Sequence, residues 1–435
     1  MKRILLYTII MAVAAGANAQ SLTLHECRQL ALTHNEQMQT ADNAVRQAEL
    51  DRQIAFTNYL PMLDGQLMSV YNKDTEMMGM KFQMHGAFMA GLTLTQPVYT
   101  GGKIMTGNRL AAVARDISET QRRQTRMQLI AAVDNAYYTL IAVDAKVRML
   151  EAYDRQMQGL YDQVAVSVRA QMATENDLLR IATKQNEISY QLQKARNGFQ
   201  LCQLSLANVI GDYATADIVP ADTMLAITAP ASLDEGIGNR PELHLLEKAV
   251  EIQNLQVRMA RADYLPTVAL SLGYSYYDNF RLKGTTMGPD GMFYPYSETF
   301  NGHSPMAMLS VSVPLFHWGA ELKKVKKAQL QADNARLQLQ QSERGMHIEV
   351  RQAVKNLTDG YRMVETARLG QQQADENLRV MRQRYDAQMS TMTDLLDAQS
   401  QWQQARSNLI EAETQYKIYE TEYLRVTGRL DADEK

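Results

Sequence analysis

Large apolar residues alternate with small or polar ones in four short stretches of the chain. In the clearest of them, Val268, Leu270 and Leu272 alternate with Ser271 and Gly273. A period of two residues predicts a β-strand with one apolar and one polar face. We therefore predict four strands of about ten residues each. They cover 62–72, where the alternation is weakest, 88–95, 267–276 and 306–313.

Most of the remaining chain has a helical pattern. Proline is absent from 103–170 and from 320–387. Each range predicts a helix of about 68 residues, which extends on the order of 100 Å at 1.5 Å per residue. A turn at 171–174 leads into a second predicted helix, 175–210, and 24–58 is a further helical segment. Their Ala, Leu, Met and Val spacing suits closely packed helices, as in a coiled-coil cylinder.

The sequence is internally repeated, which identifies its domain organisation. Tyr59-Leu60-Pro61 recurs 205 residues later as Tyr264-Leu265-Pro266. Beyond Met89 the separation becomes 217 residues and stays constant, which places a twelve-residue insertion between Pro266 and Met306. The pairs at this separation include Pro97 with Pro314, Gly102 with Gly319, Asp177 with Asp394 and Gly211 with Gly428.

The duplication divides the chain into two copies of one unit. The first repeat covers 20–211 and the second 239–428, with an equatorial linker, 212–238, between them and a short tail, 429–435. Each repeat is predicted to contain a helix, a β-hairpin and a long helical hairpin. The β-hairpins are 60–98 and 265–315, with polar loops at 75–86 and 281–304, and the helical hairpins are 103–211 and 320–428.

The first 19 residues have the pattern of a cleaved signal peptide. Lys2 and Arg3 precede an apolar segment, Ile4–Ala15, and Ala17-Asn18-Ala19 is a small-residue cleavage site before Gln20. A membrane anchor is the less favoured interpretation, because the apolar segment is short. The rest of the chain is therefore predicted to be exported.

Composition excludes several classes of function. The chain has 45 basic and 48 acidic residues, a formal net charge of −3, which argues against a binder of nucleic-acid phosphates. No enzyme motif is found, and neither a cofactor nor a metal is expected, since the seven histidines lack metal-binding spacing. The 26 methionines are interpreted as packing residues. A copper role for the loop methionines is disfavoured without nearby His or Cys; these are Met77, Met78, Met80 and Met84.

The strands allow two interpretations. An antiparallel sheet could cover a soluble core, or it could form a membrane wall with its apolar face toward lipid and its small polar face toward water. The long helices favour the wall, because rods of this length cannot cover a small sheet. Four strands cannot close a barrel, and open edges are costly in lipid. Closure therefore requires further copies, eight strands from a dimer or twelve from a trimer.

These residues resemble the TolC-like outer-membrane efflux proteins over nearly all of the chain after residue 19. The resemblance is carried by the duplication, by Tyr-Leu-Pro before each β-hairpin, and by the segment 384–391 followed by 394–399. The family writes this segment as Arg-Tyr, two residues, Gly, then Asp-x-Leu-Asp-Ala. Here Gln171 and Gln388 replace the glycine at the tips of the helical hairpins.

The resemblance implies a mostly α fold with a β-barrel part. Three copies would form a 12-stranded outer-membrane barrel continued by a 12-helix periplasmic α-barrel. The implied function is the exit duct of a tripartite pump that exports small molecules with a periplasmic adaptor and an inner-membrane transporter of the RND type. The alternatives are the exit duct of a type I protein secretion system and, in another class, a periplasmic coiled-coil scaffold or adaptor without a pore.

Asp394 and Asp397 are the candidate gate acids. At a spacing of three residues they share a helix face. Repeated around an axis they would form an anionic ring, a device for cation selection. They could instead be acids that stabilise a helix N-terminus. The resemblance favours the ring and adds Asp177 and Tyr385, which would latch neighbouring helices at the periplasmic aperture.

The resemblance also implies that the hairpin tips contact the adaptor. Ser390 replaces the basic latch residue of the family. Cys27 and Cys202 could pair in the oxidising compartment or remain free buried thiols, and the sequence leaves both open. The predicted tip contacts are Ala170, Gln171, Met172, Ala173, Ala387, Gln388, Met389 and Ser390.

Overall fold

A computed structural model describes residues 21–71, 75–77, 80–83, 85–212, 217–230 and 233–431. The predicted signal peptide, Met78 and Met84 lie outside the described residues. The chain divides into two compact units. The helical unit contains the described residues up to 43 together with 120–244 and 341–431, and the strand unit contains 44–119 and 245–340.

The long helices and the turns after them are confirmed. The two longest helices have 67 residues each, and the predicted segment 24–58 is divided in two at Asn35. Among the described residues, no helix combines the length and the apolar character needed to cross a membrane. The helices are α1 (Leu24–His34), α2 (Glu36–Thr57), α3 (Lys103–Arg169), α4 (Glu175–Ile210), α5 (Pro241–Ala262), α6 (Ala320–Asp386) and α7 (Met392–Val426).

The strand unit contains one antiparallel sheet in which four strands lie in the order β2, β5, β7, β8. Two short strands, β3 and β4, pair with each other, and β4 also pairs with β7. A separate parallel pair, β1 with β6, belongs to the helical unit. The strands are β1 (Ser21–Leu22), β2 (Met62–Tyr71), β3 (Thr75–Met77), β4 (Met80–Gln83), β5 (His85–Thr100), β6 (Val219–Pro220), β7 (Thr267–Met287) and β8 (Phe293–Ser312).

The predicted strand lengths were wrong for the second β-hairpin. β7 and β8 have 21 and 20 residues, and pairing continues from Thr267 with Ser312 to Met287 with Phe293. The predicted loop 281–304 is therefore mostly strand, and only a short turn around Gly291 connects the two. Hydrophobic alternation missed this part because polar residues such as Arg281 and Glu298 pair there without one buried face.

The outer strands of the four-stranded array have open edges. Among the described residues, β2 pairs only with β5, and β8 pairs only with β7. One backbone edge of each strand therefore offers N–H and C=O groups to another chain.

A buried charge pair holds three helices of the helical unit together. Arg28 on α1 donates from Nε and Nη2 to the two carboxylate oxygens of Asp134 on α3, at 2.7 Å each. Thr421 Oγ1 on α7 donates to Asp134 Oδ2 at 2.9 Å. The Asp134 side chain is fully buried. We call these three residues the root cluster.

The two cysteines are free thiols in the structure, which does not contain the possible disulfide. Both lie in the apolar core that contains Leu140 and Leu206, with Cys27 fully buried and Cys202 partly exposed. Burial, assisted by the negative charge of Glu26, raises the pKa of the Cys27 thiol to about 12. A thiol with this pKa stays protonated and unreactive near neutral pH.

Candidate functional site at the hairpin tips

The two helical hairpins turn with the same backbone geometry. We call 170–173 the first tip and 387–390 the second tip. In the first, Gln171 N–H donates to Val168 C=O at 2.9 Å, and Met172 N–H donates to Ser167 C=O at 2.8 Å. In the second, the corresponding bonds of Gln388 and Met389 are 2.9 and 2.7 Å long. This pair of bonds is a Schellman motif, which satisfies carbonyl groups at the end of a helix.

Glutamine occupies the left-handed position of each turn. The φ angles are 59° at Gln171 and 60° at Gln388. A side chain in this conformation costs roughly 1–2 kcal/mol, and glycine avoids that cost. The glutamines that depart from the family pattern therefore retain the turn that glycine would favour.

The tips present methionine to solvent. Met172 and Met389 are 70% and 72% exposed. The next residue of each tip points inward: Ala173 packs against an apolar cluster, while the Ser390 hydroxyl is buried without a hydrogen-bond partner among the described residues. An exposed apolar side chain beside a fixed turn is suited to contact with another protein.

Both acids at the starts of the returning helices are helix caps. Asp394 Oδ2 accepts from Thr391 N–H at 2.9 Å and from Thr391 Oγ1 at 2.7 Å, and Thr391 Oγ1 accepts from Asp394 N–H. Thr174 and Asp177 form the same capping box on α4. The interpretation of Asp394 as a helix N-terminal acid is confirmed.

The cap leaves part of each carboxylate available. Only Oδ2 of Asp394 is used by Thr391, and these hydrogen bonds lower the pKa of Asp394. Asp397 lies one turn further along α7, is exposed, and has no hydrogen-bond or ion-pair partner in the described part of the chain. Capping therefore does not prevent these acids from contributing negative charge to a larger assembly.

Tyr385 lies at the end of α6 and is half-buried. It packs against a cluster that includes Tyr153, Ile181 and Met392. Burial raises the pKa of the Tyr385 hydroxyl, and the negative charges of Asp177 and Asp386 raise it further. Within the described residues of one chain, Tyr385 makes no hydrogen bond to Asp177, so the predicted latch is not formed inside one chain.

One contact between the two helical hairpins was not predicted. Arg180 Nη1 on α4 donates to Thr393 Oγ1 at the start of α7. The separation of 217 residues aligns Arg180 with Asp397, so the repeats carry opposite charges at equivalent positions. That charge reversal was the signal in the sequence, although its partner could not be read from it.

No site at the tips suits a metal bound by the usual ligands. Across the described ranges, no group of three or more His, Cys, Asp or Glu residues could hold a metal ion. The arrangement consists of two matching turns, two caps and a set of acids, which suits binding and gating of other molecules.

The fold and these tips define a duplicated channel subunit with helical hairpins and a partial barrel sheet. The family model described as outer membrane efflux protein matches residues 27–212 and 233–429, one segment in each repeat. The chain belongs to the outer membrane efflux protein family. It is an outer-membrane channel with a periplasmic extension that acts in export.

The chain is similar to curated and solved members of this group. It is 23% identical over 355 residues to the outer membrane protein TolC of Escherichia coli, covering 79% of this chain and 70% of TolC. It is 21% identical to the proteases secretion protein PrtF of Dickeya chrysanthemi, covering 94% and 88%. The crystal structure of CusC matches with a TM-score of 0.79 and 16% identity, covering 94% of this chain and 92% of CusC.

Proposed function

We propose that three copies of the chain close one barrel and form the exit duct of a tripartite pump for small molecules. The observation that supports this is the pair of open edges on β2 and β8. In a membrane, each unpaired backbone group costs several kcal/mol, so the two edges must pair with neighbouring copies. Twelve strands in three copies give a barrel large enough for an aqueous lumen.

The partners follow from the tips. Each chain offers two equivalent tips with an exposed methionine, so a trimer offers six similar contacts to a periplasmic adaptor. The adaptor would join the duct to an inner-membrane transporter, which we propose to be of the RND type. The adaptor contacts are the predicted tip residues, 170–173 and 387–390.

The gate is proposed to lie at the same end. Tyr385 of one hairpin would donate a hydrogen bond to Asp177 of a neighbouring hairpin in the trimer, which favours a closed aperture. The free carboxylate oxygens of Asp394 and Asp397 would form the acid ring. The raised pKa of Tyr385 supports this role, because the hydroxyl remains a donor across the physiological range.

Closure is tested by proline substitutions on the open edge of β2. Neighbouring residues of an antiparallel strand alternate in the direction of their N–H groups. Of Gln66→Pro and Leu67→Pro, one variant should lose a bond to β5 and the other only a bond to the next copy. Cross-linking and native mass in detergent should give three copies for the parent chain and fewer for the edge variant. A stable, folded monomer of the parent in lipid would refute the proposal.

The acid ring is tested by variants that separate charge from capping. Asp394→Asn with Asp397→Asn removes both charges, while the asparagine oxygen still accepts the capping bonds. Thr391→Ala is the matched control, because it removes the cap and keeps both charges. In planar bilayers, the asparagine variant should lose cation preference and block by multivalent cations, and the control should keep them. The opposite result would assign these acids to capping alone.

The latch is tested separately with Tyr385→Phe. This variant keeps the packing of the ring and removes the donor, so the closed aperture should loosen and conductance should rise. An unchanged conductance would place Tyr385 in the packing cluster only.

A second function, the duct of a type I protein secretion system, is favoured by the similarity to PrtF over 94% of this chain. Deletion of the chain in its own host separates the two. Increased accumulation of dyes and drugs supports small-molecule efflux. Loss of a secreted protein with unchanged dye accumulation supports secretion.

A further inference from the structure

Methionine is segregated to one face of the sheet. Strand register and alternation define a polar face, made of Met62, Asp64, Gln66, Met68, Met89, Gly91, Thr93, Thr95, Thr267, Ala269, Ser271, Gly273, Ser275, Ser304, Met306, Met308, Ser310 and Ser312. Its only large apolar residues are five methionines. The opposite, apolar face over the same stretches contains Leu, Val, Phe and Tyr and no methionine.

This distribution is not explained by a need for apolar filling. Leucine fills space as well as methionine, and exchanges between them are usually well tolerated. The apolar face uses leucine at Leu63, Leu67 and Leu92, whereas the polar face has none in the same strands. The property that methionine adds is its soft, polarisable thioether sulfur.

Three of the methionines surround one hollow. Met68 on β2 lies directly opposite Met89 on β5, and Met306 on β8 lies opposite Gly273 on β7. Met68, Met89 and Met306 all line a hollow of about 160 Å³ that is also lined by Gly91 and Gly273. The Met306 methyl group lies 3.6 Å from the position that a Cβ on Gly273 would occupy. The glycines thus leave the space between the methionines open.

The chemistry of the hollow suits a soft cation. Thioethers select Cu(I) among biological metals, and oxygen ligands do not. The polar face carries no Lys or Arg that would repel a cation, and it includes the carboxylate of Asp64, in the same cross-strand row as Met306. Face-to-face thioethers on neighbouring strands offer two or three such ligands to one ion.

We propose that Met68, Met89 and Met306 form a binding site for soft monovalent metal ions, Cu(I) or Ag(I), on the polar face of the sheet. The inference rests on the proposed function, in which this face lines the lumen of the duct. Conduction requires sites that bind strongly enough to admit an ion and weakly enough to release it. The strand methionines carry this proposal, and the loop cluster at 77–84 is not needed for it.

The test uses silver nitrate in chloride-free buffer with the full-length channel. The variant Met68→Leu/Met89→Leu/Met306→Leu keeps side-chain volume and removes the three thioethers. Met224→Leu is the matched control, because Met224 is 84% exposed and lies outside the sheet. All proteins keep Cys27 and Cys202, so silver bound to thiols cancels in the comparison.

Titration calorimetry should show at least one silver site fewer per chain, or at least about tenfold weaker affinity, in the triple variant. In planar bilayers, silver should reduce the conductance of the parent and the control but not of the triple variant. Equal binding and equal block in all three proteins would overturn the site. A parent that does not conduct before silver is added would instead refute the duct, while the calorimetry would still judge the site.

Discussion

The root cluster and the hairpin tips hold the helical unit in different ways. At the root, the fully buried carboxylate of Asp134 receives three hydrogen bonds from α1 and α7. At the tips, Asp177 and Asp394 make similar bonds only within their own helices, and the turns carry glutamine in a left-handed conformation. Buried polar interactions between helices resist separation, whereas exposed local caps do not.

The comparison indicates which part of the unit can move. Motion at the tips exposes few buried groups and leaves every cap intact, because each cap belongs to a single helix. Motion at the root would leave a charged carboxylate buried without a partner. We therefore expect opening to be confined to the tips, which is where the proposed gate lies.

The largest effect should come from Asp134→Ala. Removing one partner of a buried ion pair costs about 3–5 kcal/mol, because the Arg28 charge loses its partner in a largely buried place. Thermal unfolding in detergent should show a large fall in melting temperature. The control is Glu376→Ala, which breaks the exposed pair with Arg379 and should change little. Equal effects would remove the distinction between root and tips.

The caps should have a smaller and local effect. Thr174→Ala and Thr391→Ala should each cost about 1 kcal/mol, because backbone N–H groups at the helix start lose their acceptor. Hydrogen exchange should accelerate in the first turn of α4 or α7 and remain unchanged at the root. Thr183→Ala, in the exposed middle of α4, is the control. Acceleration that spreads to α1 would contradict local capping.

Acid should weaken the Asp394 cap in a defined range. Because the folded pKa is lowered from the ordinary 3.8, its stabilisation is complete above that value and is lost as pH falls through the lowered pKa. Exchange in the first turn of α7 should therefore accelerate only in strong acid. Acceleration between pH 5 and 6 would assign the effect to another group.

Glycine at the tips should stabilise the turns slightly. Gln171→Gly and Gln388→Gly remove the cost of a left-handed side chain and add chain entropy to the unfolded state, with a net gain of about 0.5–1 kcal/mol. Hydrogen exchange of the Met172 and Met389 amides should slow. Gln185→Gly, within α4, should destabilise instead. A loss of stability at the tips would mean that the glutamine side chains themselves hold the turn.

The smallest effect is a difference in labelling without a change in stability. In the native protein, Cys27 should resist alkylation at neutral pH, because burial holds its pKa at about 12. A cysteine at the second tip, Met389→Cys, should react at once, since this position is exposed. Mass spectrometry before and after unfolding distinguishes the two. Rapid native labelling of Cys27 would show that the root opens.

The sequence predicted the helices closely and the tip chemistry incompletely. Long stretches without proline and a constant separation of 217 residues defined α3, α6 and the matching turns, because both signals are local. The length of β7 and β8 was missed, since paired strands outside a buried face lose their hydrophobic alternation. The Arg28–Asp134 pair and the Arg180–Thr393 contact join residues 106 and 213 positions apart. Such pairings depend on tertiary packing, which a single sequence does not specify.

The open edge of β2 has a consequence for the life of the chain before it reaches the membrane. Natural edge strands are commonly guarded by lysine or proline, and β2 contains neither, whereas β8 contains Pro295 and Pro305. A newly exported chain would thus carry an unguarded template for aggregation. Biogenesis must either be fast or be escorted by a chaperone that covers this strand until a sister copy replaces it.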